Sequence, residues 1–532
     1  MPQINLRSVV IKNFQGVRNW EAPQDISPNN LFYAQNCNVQ GGRFRSGKGV
    51  TKYLDALTGG TNIKGLVYFP FRESGNTVDY LLELYDGQWY AIDTDTDTRA
   101  AITGATTHTA EEAAVGLAVN NVVYLSNATD GMGHWDGTTY STTFTGTAPN
   151  AVMLAENSGK IWCVDPAAPN IVVYSRTATA ANPEYIRDFV TGSGRALITH
   201  SGYITGLVNL KDTLYVFTNQ SVSFLSGFDT SSTYPIPIFK NFSVSAGAIN
   251  KDCVVVAEND LFFLTPNLEV RSLGSAENYL GDPRTVDISE AIRRYLKELD
   301  PDQSEAAMTY FNKTLKLSMK TAGSPVNNWI MEYDMDDRTF AIRRMSSVKQ
   351  YTYTDKQLFF SVAGDLSGQI YKDDSGYSND GSSFRFEGTT FMADFGRPDI
   401  QKKARYVNIY LGRSINQVSY ISVYKDTYDS TPVHTFEIPA PTAEEMGASL
   451  ASGDATWGSS TWGGSVWGGS GISISATDEP TLYFRNFRID TNSFGTMFGY
   501  QVFANIQGGM VEVQQITPEF IPLAQSNQVV DL

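Results

Sequence analysis

Cysteine is almost absent: Cys37, Cys163 and Cys253 are far apart and odd in number, which excludes a disulfide framework and reads as three small core residues of a protein made in a reducing compartment. Histidine is nearly as scarce. His108, His134, His200 and His434 include no pair at metal-ligand spacing and none beside a cysteine, so zinc chemistry and a Cys-His nucleophile are not expected. No apolar run is long enough to cross a bilayer, and the opening MPQINLRSVVIKNF has no signal-length apolar core; cytoplasmic synthesis without membrane insertion is expected. Charged residues make up only 18% against 42% hydrophobic, a balance that excludes a disordered chain.

Motifs of catalysis are missing as well. No Gly-x-Ser-x-Gly elbow occurs, and Gly47-Lys48-Gly49 lacks both the upstream glycine and the Ser/Thr of a phosphate-binding loop. Asp93, Asp95 and Asp97 imitate a calcium loop, but Thr98 and Gly104 occupy its sixth and twelfth positions, so a solvated acidic turn is expected. Ala128–Trp135 approaches the Ser-x-Asp-x-Gly-x-Thr-Trp box of sialidases in the spacing of Asp130 and Trp135, with Met132 where the glycine belongs. No catalytic residue, cofactor or metal is expected, and the chain is read as a non-enzyme.

The net charge of −16 excludes a coat for duplex DNA. It is uneven: residues 1–50 carry six basic and two acidic residues, +4, leaving −20 for the remainder. Arg43, Arg45 and Lys48 are therefore candidate contacts for self-assembly or for an acidic neighbour.

What the sequence does contain is a repeated phrase, strand, short polar turn, strand. Its clearest copy is Ile204–Leu225, where Leu214 and Val216 alternate with Tyr215 and Phe217, a period of two that a helix cannot use. Further copies turn at Asn120, Ser158, Asn259, Asn312 and Asp355, and with Lys211 the separations are 38, 53, 48, 53 and 43 residues. Residues 66–92 read as one more copy with a longer loop. This is the period of a four-stranded propeller blade, so the expected fold is all-β, a β-propeller of six to eight irregular blades over 51–380. Before it, 1–50 is expected as an arm with a short helix, started by Ser27-Pro28 and ending near Asn36, and a hairpin turning at Gly41-Gly42. One amphipathic helix, VDISEAIRRYLKEL, interrupts the strands, with Ile288, Ile292, Tyr295, Leu296 and Leu299 on one face and Asp287 or Ser289 as cap. After a turn-rich boundary at 373–383, residues 381–532 read as a β-sandwich. Within it, the Trp/Gly-rich loop 455–471 presents Trp457, Trp462 and Trp467 every five residues, further candidate assembly contacts.

Two stretches resemble a known family. IKNFQGVRNW followed by ISPNNLFYAQNCNVQGGRFRSGKGV, with Ala34, Asn36, Gly42, Arg45 and Gly47, is similar to the opening of tail-associated structural proteins of tailed bacteriophages. FRFEGTTFMADFGRPDIQKKARYVNIYL, with Phe395, Gly396, Pro398, Lys402, Lys403 and Arg405, adds to this. Within that group the chain looks most like the nozzle proteins, of tail tubular protein B type, of short-tailed phages. The resemblance implies a virion protein made in the host cytoplasm and placed in the tail. It implies a homo-oligomeric ring, a hexamer by family analogy, between adaptor or portal-side proteins and fibre or tail-tip proteins. Genomic DNA would pass through its channel without specific binding, and an acidic wall suits that task because a polyanion slides past like charge. The alternatives are a receptor- or glycan-binding propeller using the three tryptophans and, behind it, a propeller glycosidase.

Overall fold

The computed structural model describes residues 7–57, 63–73, 75–105, 108–110, 112–190, 193–198, 202–229, 236–243, 246–273, 285–345, 347–362, 368–396, 399–428, 431–442, 480 and 482–523. Seven four-stranded sheets follow one another at 65–101, 114–141, 153–197, 204–243, 254–287, 307–344 and 348–373, the seventh taking its fourth strand, Val50–Tyr53, from far upstream. In each sheet consecutive strands are neighbours, and the first strand of every sheet lies beside the first strands of the sheets before and after it. Val348–Tyr353 of the seventh returns to Gly65–Glu73 of the first, which closes the circle. The fold is a β-propeller of seven blades.

The turns used to find the repeat are the hairpins between first and second strands of blades 2 to 7. Several hold consecutive non-glycine residues in the left-handed region, as at Asn120 and Asn121 (φ 49° and 60°), Lys211 and Asp212 (49° and 60°), and Asn312 and Lys313 (46° and 62°). Two such residues make the turn whose twist matches that of paired strands, and Asn and Asp tolerate the conformation best. Residues 66–92 do form another copy, blade 1, with strands Gly65–Glu73, Asn76–Tyr85 and Gln88–Asp93.

Alternation within each strand serves two neighbours. Leu214 and Val216 pack with Trp162 and Val164 of blade 3, whereas Phe217, from the same strand, packs with Leu261 and Phe263 of blade 5. Trp89, Phe69, Val123 and Trp135 fill the seam between blades 1 and 2. Gly65 is required there, since a Cβ would stand 2.9 Å from the Trp89 ring. At the closing seam Tyr53, Phe359 and Ile370 of blade 7 meet Leu66, Leu81, Tyr85 and Ile92 of blade 1. The helix between blades 5 and 6 is shorter than its sequence pattern: a 3-10 turn, Ser289–Ile292, runs into a single α-turn, Arg293–Leu296. Its buried face is the expected one, Ile292, Tyr295, Leu296 and Leu299, but neither Asp287 nor Ser289 is its cap: Ile288 occupies that position with no side-chain cap bond, and Asp287, one residue earlier, accepts from Ser289 N at 2.8 Å. Among the described residues no helix is long and apolar enough to cross a membrane.

The chain divides into two compact units, 52–332 with 345–372, and 1–51 with 333–344 and 373–532. The second unit corrects the expected division at both ends. Its seven-stranded sheet contains Tyr483–Gly495, Lys402–Arg413, Val511–Pro522, Arg43–Ser46 and Cys37–Gln40 in that order, with Arg7–Ser8 and Ile11–Lys12 also paired to Val511–Pro522. Its five-stranded sheet runs Tyr33–Gln35, Phe384–Thr389, Phe498–Ile506, Ser419–Lys425, His434–Ile438. Phe44 of the first sheet meets Phe386 of the second, ring centroids 5.7 Å apart. Residues 1–50 are thus not a separate arm but strands of the sandwich. The hairpin at Gly41-Gly42 forms as read.

No helix forms between Ser27 and Asn36. Tyr33–Gln35 is a strand opposite Glu387–Thr389, and at Asn36, in the left-handed region (φ 51°), the chain crosses from one sheet to the other. Asn36 Oδ1 accepts from Arg344 N at 2.8 Å and its Nδ2 donates to Arg385 O at 2.6 Å, so long-range pairing overrides the local Ser-Pro signal.

Phe359→Ala at the closing seam should cost about 3–5 kcal/mol, the usual range for emptying a buried aromatic site; the midpoint of urea unfolding measures it.

Candidate functional site

The segments leading into the inner strands are stitched to neighbouring blades. Lys64 N donates to Leu84 O, and Lys64 O accepts from Ala114 N of blade 2, both at 2.9 Å, and from Gln350 Nε2 of blade 7 at 3.5 Å. Asn250, before blade 5, donates through Nδ2 to Gln303 O, Ser304 O and Ala306 O at 2.9–3.1 Å, which fixes the lead-in of blade 6. Asn327 Nδ2 joins Glu305 O (2.7 Å) to Val348 O (2.8 Å), tying blade 6 to blade 7. Among the described residues, six charged side chains ride on these lead-ins or at the start of an inner strand: Lys64, Glu112, Lys251, Asp252, Glu305 and Lys349.

Lys251 and Asp252 are adjacent on a 3-10 turn and form an ion pair of 2.8 and 2.9 Å. Lys349 is half-buried on the inner strand of blade 7. Its ammonium titrates below the ordinary lysine value, because burial disfavours the charge; Glu305 opposes this, Lys64 adds to it, Asp252 opposes it and Lys251 adds again. Chemically, these segments carry three ammonium groups and three carboxylates, a balanced set.

Other buried charges bind the fold to itself. Glu83 is fully buried with its Oε1 2.6 Å from Arg99 Nε, and Arg99 Nη1 donates to Asp55 O, just past the closing strand, at 2.6 Å. Burial pushes the Glu83 carboxyl up to about 7, with Arg99 pulling in the opposite direction. Lys316 and Glu332 pair at 3.3 Å inside blade 6. His134 sits 3.1 Å from Arg187, and burial together with that guanidinium lowers it to about 4.

A cleft of about 470 Å³ opens on blade 3 beside residues 147–150, the segment that leads into it. Asn150, Asp165, Phe189, Ser193 and Arg195 line it, with Arg195 3.7 Å from Asp165.

The residues singled out in the sequence are dispersed. Arg43 is exposed and reaches Glu512 across the seven-stranded sheet at 3.3 Å; Arg45 lies on the same strand and donates to Gln40 at 3.4 Å; Lys48 is exposed after it. Trp457, Trp462 and Trp467 lie outside the described residues. Asp130 of the sialidase-like stretch accepts from Asn127 Nδ2, Thr109 N and Thr109 Oγ1, a blade-turn role. Asp93 accepts from the amides of Asp95 and Thr96, and Asp97 from the Tyr53 hydroxyl at 2.6 Å, which ties the closing strand to blade 1. The three cysteines are free and buried, and no group of His, Cys, Asp and Glu among the described residues is arranged to hold a metal ion. Sequence reading missed the hub lysines. Their signal was position, since Lys64 directly precedes an inner strand, Lys251 stands three residues before one and Lys349 is the second residue of one.

The strand order defines the class: a seven-bladed β-propeller joined in one chain to a two-sheet unit. No known family's sequence pattern and no curated protein matches the chain. Solved structures similar to it include YCF48 bound to D1 peptide (10% identity, TM-score 0.39, covering 60% of this chain and 93% of that one). A chain of the mitotic checkpoint complex gives 14% identity and TM-score 0.38, covering 61% and 92%. YCF48 from Cyanidioschyzon merolae gives 8% and 0.38, covering 61% and 98%.

Glu83 generates a pH prediction. Its proton stays on in the folded chain up to about pH 7 but leaves the unfolded chain near 4.5, so the folded state holds the extra proton in between. Stability should therefore fall as pH rises from 5 to 7.5, by up to roughly 3 kcal/mol, and Glu83→Gln should flatten that slope in urea melts taken across the range.

Proposed function

We propose that this chain is a structural subunit of a bacteriophage tail, of the nozzle type, whose copies join side to side into a ring around a channel for DNA. The observation that carries the reading is where the two family-like stretches go. Cys37–Gln40 with Arg43–Ser46, and Lys402–Arg413, lie far apart in sequence yet belong to one seven-stranded sheet, bridged by Val511–Pro522. A surface built jointly from both ends of a chain is a reason for both stretches to keep their character.

The outward face of that sheet has the composition of a protein contact. Tyr406, Asn408 and Tyr410 alternate with the buried Val407, Ile409 and Leu411. Arg488 stacks over Tyr406 at 3.9 Å and reaches Glu519 at 3.4 Å, Lys403 lies 5.3 Å over Phe494, and Tyr410 meets Phe484 at 5.8 Å. Tyr410 and Phe494 remain 39% and 49% exposed. Aromatic and arginine residues are enriched at interfaces and dominate their energetics. The propeller unit carries 22 basic against 33 acidic residues, a net −11, which suits a wall past which a polyanion moves. Adaptor or portal-side proteins and fibre or tail-tip proteins are the neighbours this reading supplies.

A second reading, a glycan- or receptor-binding propeller, is favoured by the cleft on blade 3, where Phe189 offers an apolar surface beside Asn150, Asp165 and Arg195.

Mass measurement and negative-stain imaging of the purified protein test the proposal: a ring of defined symmetry with a central hole is expected, and a stable monomer would overturn it. Tyr410→Ser combined with Phe494→Ser should weaken assembly at least about tenfold without lowering the melting temperature, the effect of losing two aromatic anchors. Glycan-array binding abolished by Phe189→Ala would favour the second reading.

A further inference from the structure

We propose that the outer edge of blade 3 binds an extended peptide of another protein, which adds to Gly194–Leu197 as a fifth strand and places an apolar side chain in the cleft beside it. The inference does not depend on the assembly reading; it takes the cleft of the second reading and gives it a peptide rather than a glycan as ligand.

The first observation is which backbone groups the edge leaves free. Gly194–Leu197 ends its sheet, with Ile171–Tyr174 on one side and no strand on the other. In an antiparallel ladder residues alternate between bonding the partner strand and pointing away from it. Ile198 N donates to Asn170 O at 3.1 Å, just beyond the paired residues, and this sets the phase: the bonded pairs are Ala196 with Val172 and Gly194 with Tyr174. The N–H and C=O groups of Arg195 and Leu197 therefore face outward, two residues apart, the spacing at which an extended chain presents its own.

The other edges are blunted or taken. Blade 4 ends in Ile236–Ser243, which carries Pro237 and two register shifts, devices that keep other chains from pairing. The outer strands of blades 2 and 5 are two residues long, and that of blade 1 has only Ala100 and Ala101 as apolar side chains. In blade 6, Phe340 O and Ile342 O already accept from Val17 N and Asn36 N, and Val50 of blade 7 is bonded to Ser378 and Asp380. Gly194–Leu197 has neither proline nor bulge, and its one charge, Arg195, leans back to Asp165 at 3.7 Å.

The second observation is the cleft, whose volume of about 470 Å³ is that of a ligand pocket. Gly194 and Arg195 form part of its wall, so it opens alongside the free edge, and Pro149, Val173 and Phe189 give it apolar surface. Val190, next to Phe189, and Leu197 are 64% and 56% exposed, the highest values for large hydrophobic side chains among the described residues. Arg195 stands opposite Val173, so Arg195, Leu197 and the cleft share one face of the blade. An added strand lays every second side chain on that face, and a peptide with apolar residues at alternate positions matches it. Main-chain bonds supply affinity and the cleft supplies specificity. A sugar offers hydroxyls but not the alternating N–H and C=O groups that this edge can pair.

The test is panning of a random-peptide display library against the full chain, followed by fluorescence-anisotropy titration of a synthetic copy of an enriched sequence. Expected is saturable binding of a peptide with alternate apolar residues, weakened at least about tenfold by Phe189→Ala and by Arg195→Pro, retained within about threefold in Arg195→Gln and unchanged in Ile238→Ser on blade 4. Arg195→Pro removes an N–H that no ladder bond uses, and proline is tolerated at such edge positions. Should that variant not fold, methylation of the peptide serves in its place: methyl groups on one alternate set of its amide nitrogens should abolish binding, and on the other set leave it intact. Equal affinity in Arg195→Pro, indifference to which set is methylated, or binding that survives Phe189→Ala overturns the proposal. So does the absence of any enriched peptide, and glycan-array binding lost in Phe189→Ala would then assign the cleft to a glycan.

Discussion

The structure depends on closing a circle. A single blade cannot bury both of its faces, because each strand carries apolar residues on both, and only a neighbour on either side removes them from water. Six seams form between blades consecutive in sequence. The seventh needs residues from distant parts of the chain, with Tyr53 arriving from upstream to meet Phe359 and Ile370 beside Leu66 and Leu81. Polar contacts reinforce this joint: Gln369 Nε2 donates to Tyr53 O and Leu54 O, the Tyr53 hydroxyl to Asp97, and Arg99, braced by Glu83, to Asp55 O. Without the seventh seam the circle stays open and two blade faces stay in water.

How much could be read from the sequence follows from how local the controlling interactions are. The blade hairpins were legible because they are self-contained: a turn such as Lys211-Asp212 and the alternation of Leu214–Phe217 specify a hairpin within a dozen residues. The buried face of the short helix was legible for the same reason. The segment Ser27–Asn36 was not, because its conformation is decided by partners more than 300 residues away, Glu387–Thr389 and Arg344. Membership of the N-terminal strands in the sandwich was hidden likewise, and so was Val511–Pro522, the strand to which Arg7–Ser8, Ile11–Lys12, Arg43–Ser46 and Lys402–Arg413 all pair.

The candidate sites divide along the same line. Arg43, Arg45 and Lys48 drew notice through local charge, and the strand Arg43–Ser46 places the first two at the edge of a broad mixed face whose other members, Tyr406, Tyr410, Arg488 and Phe494, could be grouped only by cross-strand register. The lysines of the hub are harder still. A bulge is a mismatch between two strands, so Lys349 looks like any other strand residue until its partners are known. Asp130 and Trp135 show the opposite case, a local spacing that suggests chemistry but puts Asp130 in a blade turn and Trp135 in the packed seam.

The assembly reading rests on the circle being one cooperative body, since a channel wall needs fixed geometry across several blades. Amide hydrogen exchange under native conditions tests this most directly. If the ring opens as a unit, the closing strand Val50–Tyr53 and the inner strands Val348–Tyr353 and Gly65–Glu73 will exchange with the same free energy as the inner strands of blades 3 and 4. Exchange of the closing strand and blade 7 at a much lower free energy than the rest would show that the circle is open in solution, and would contradict the account.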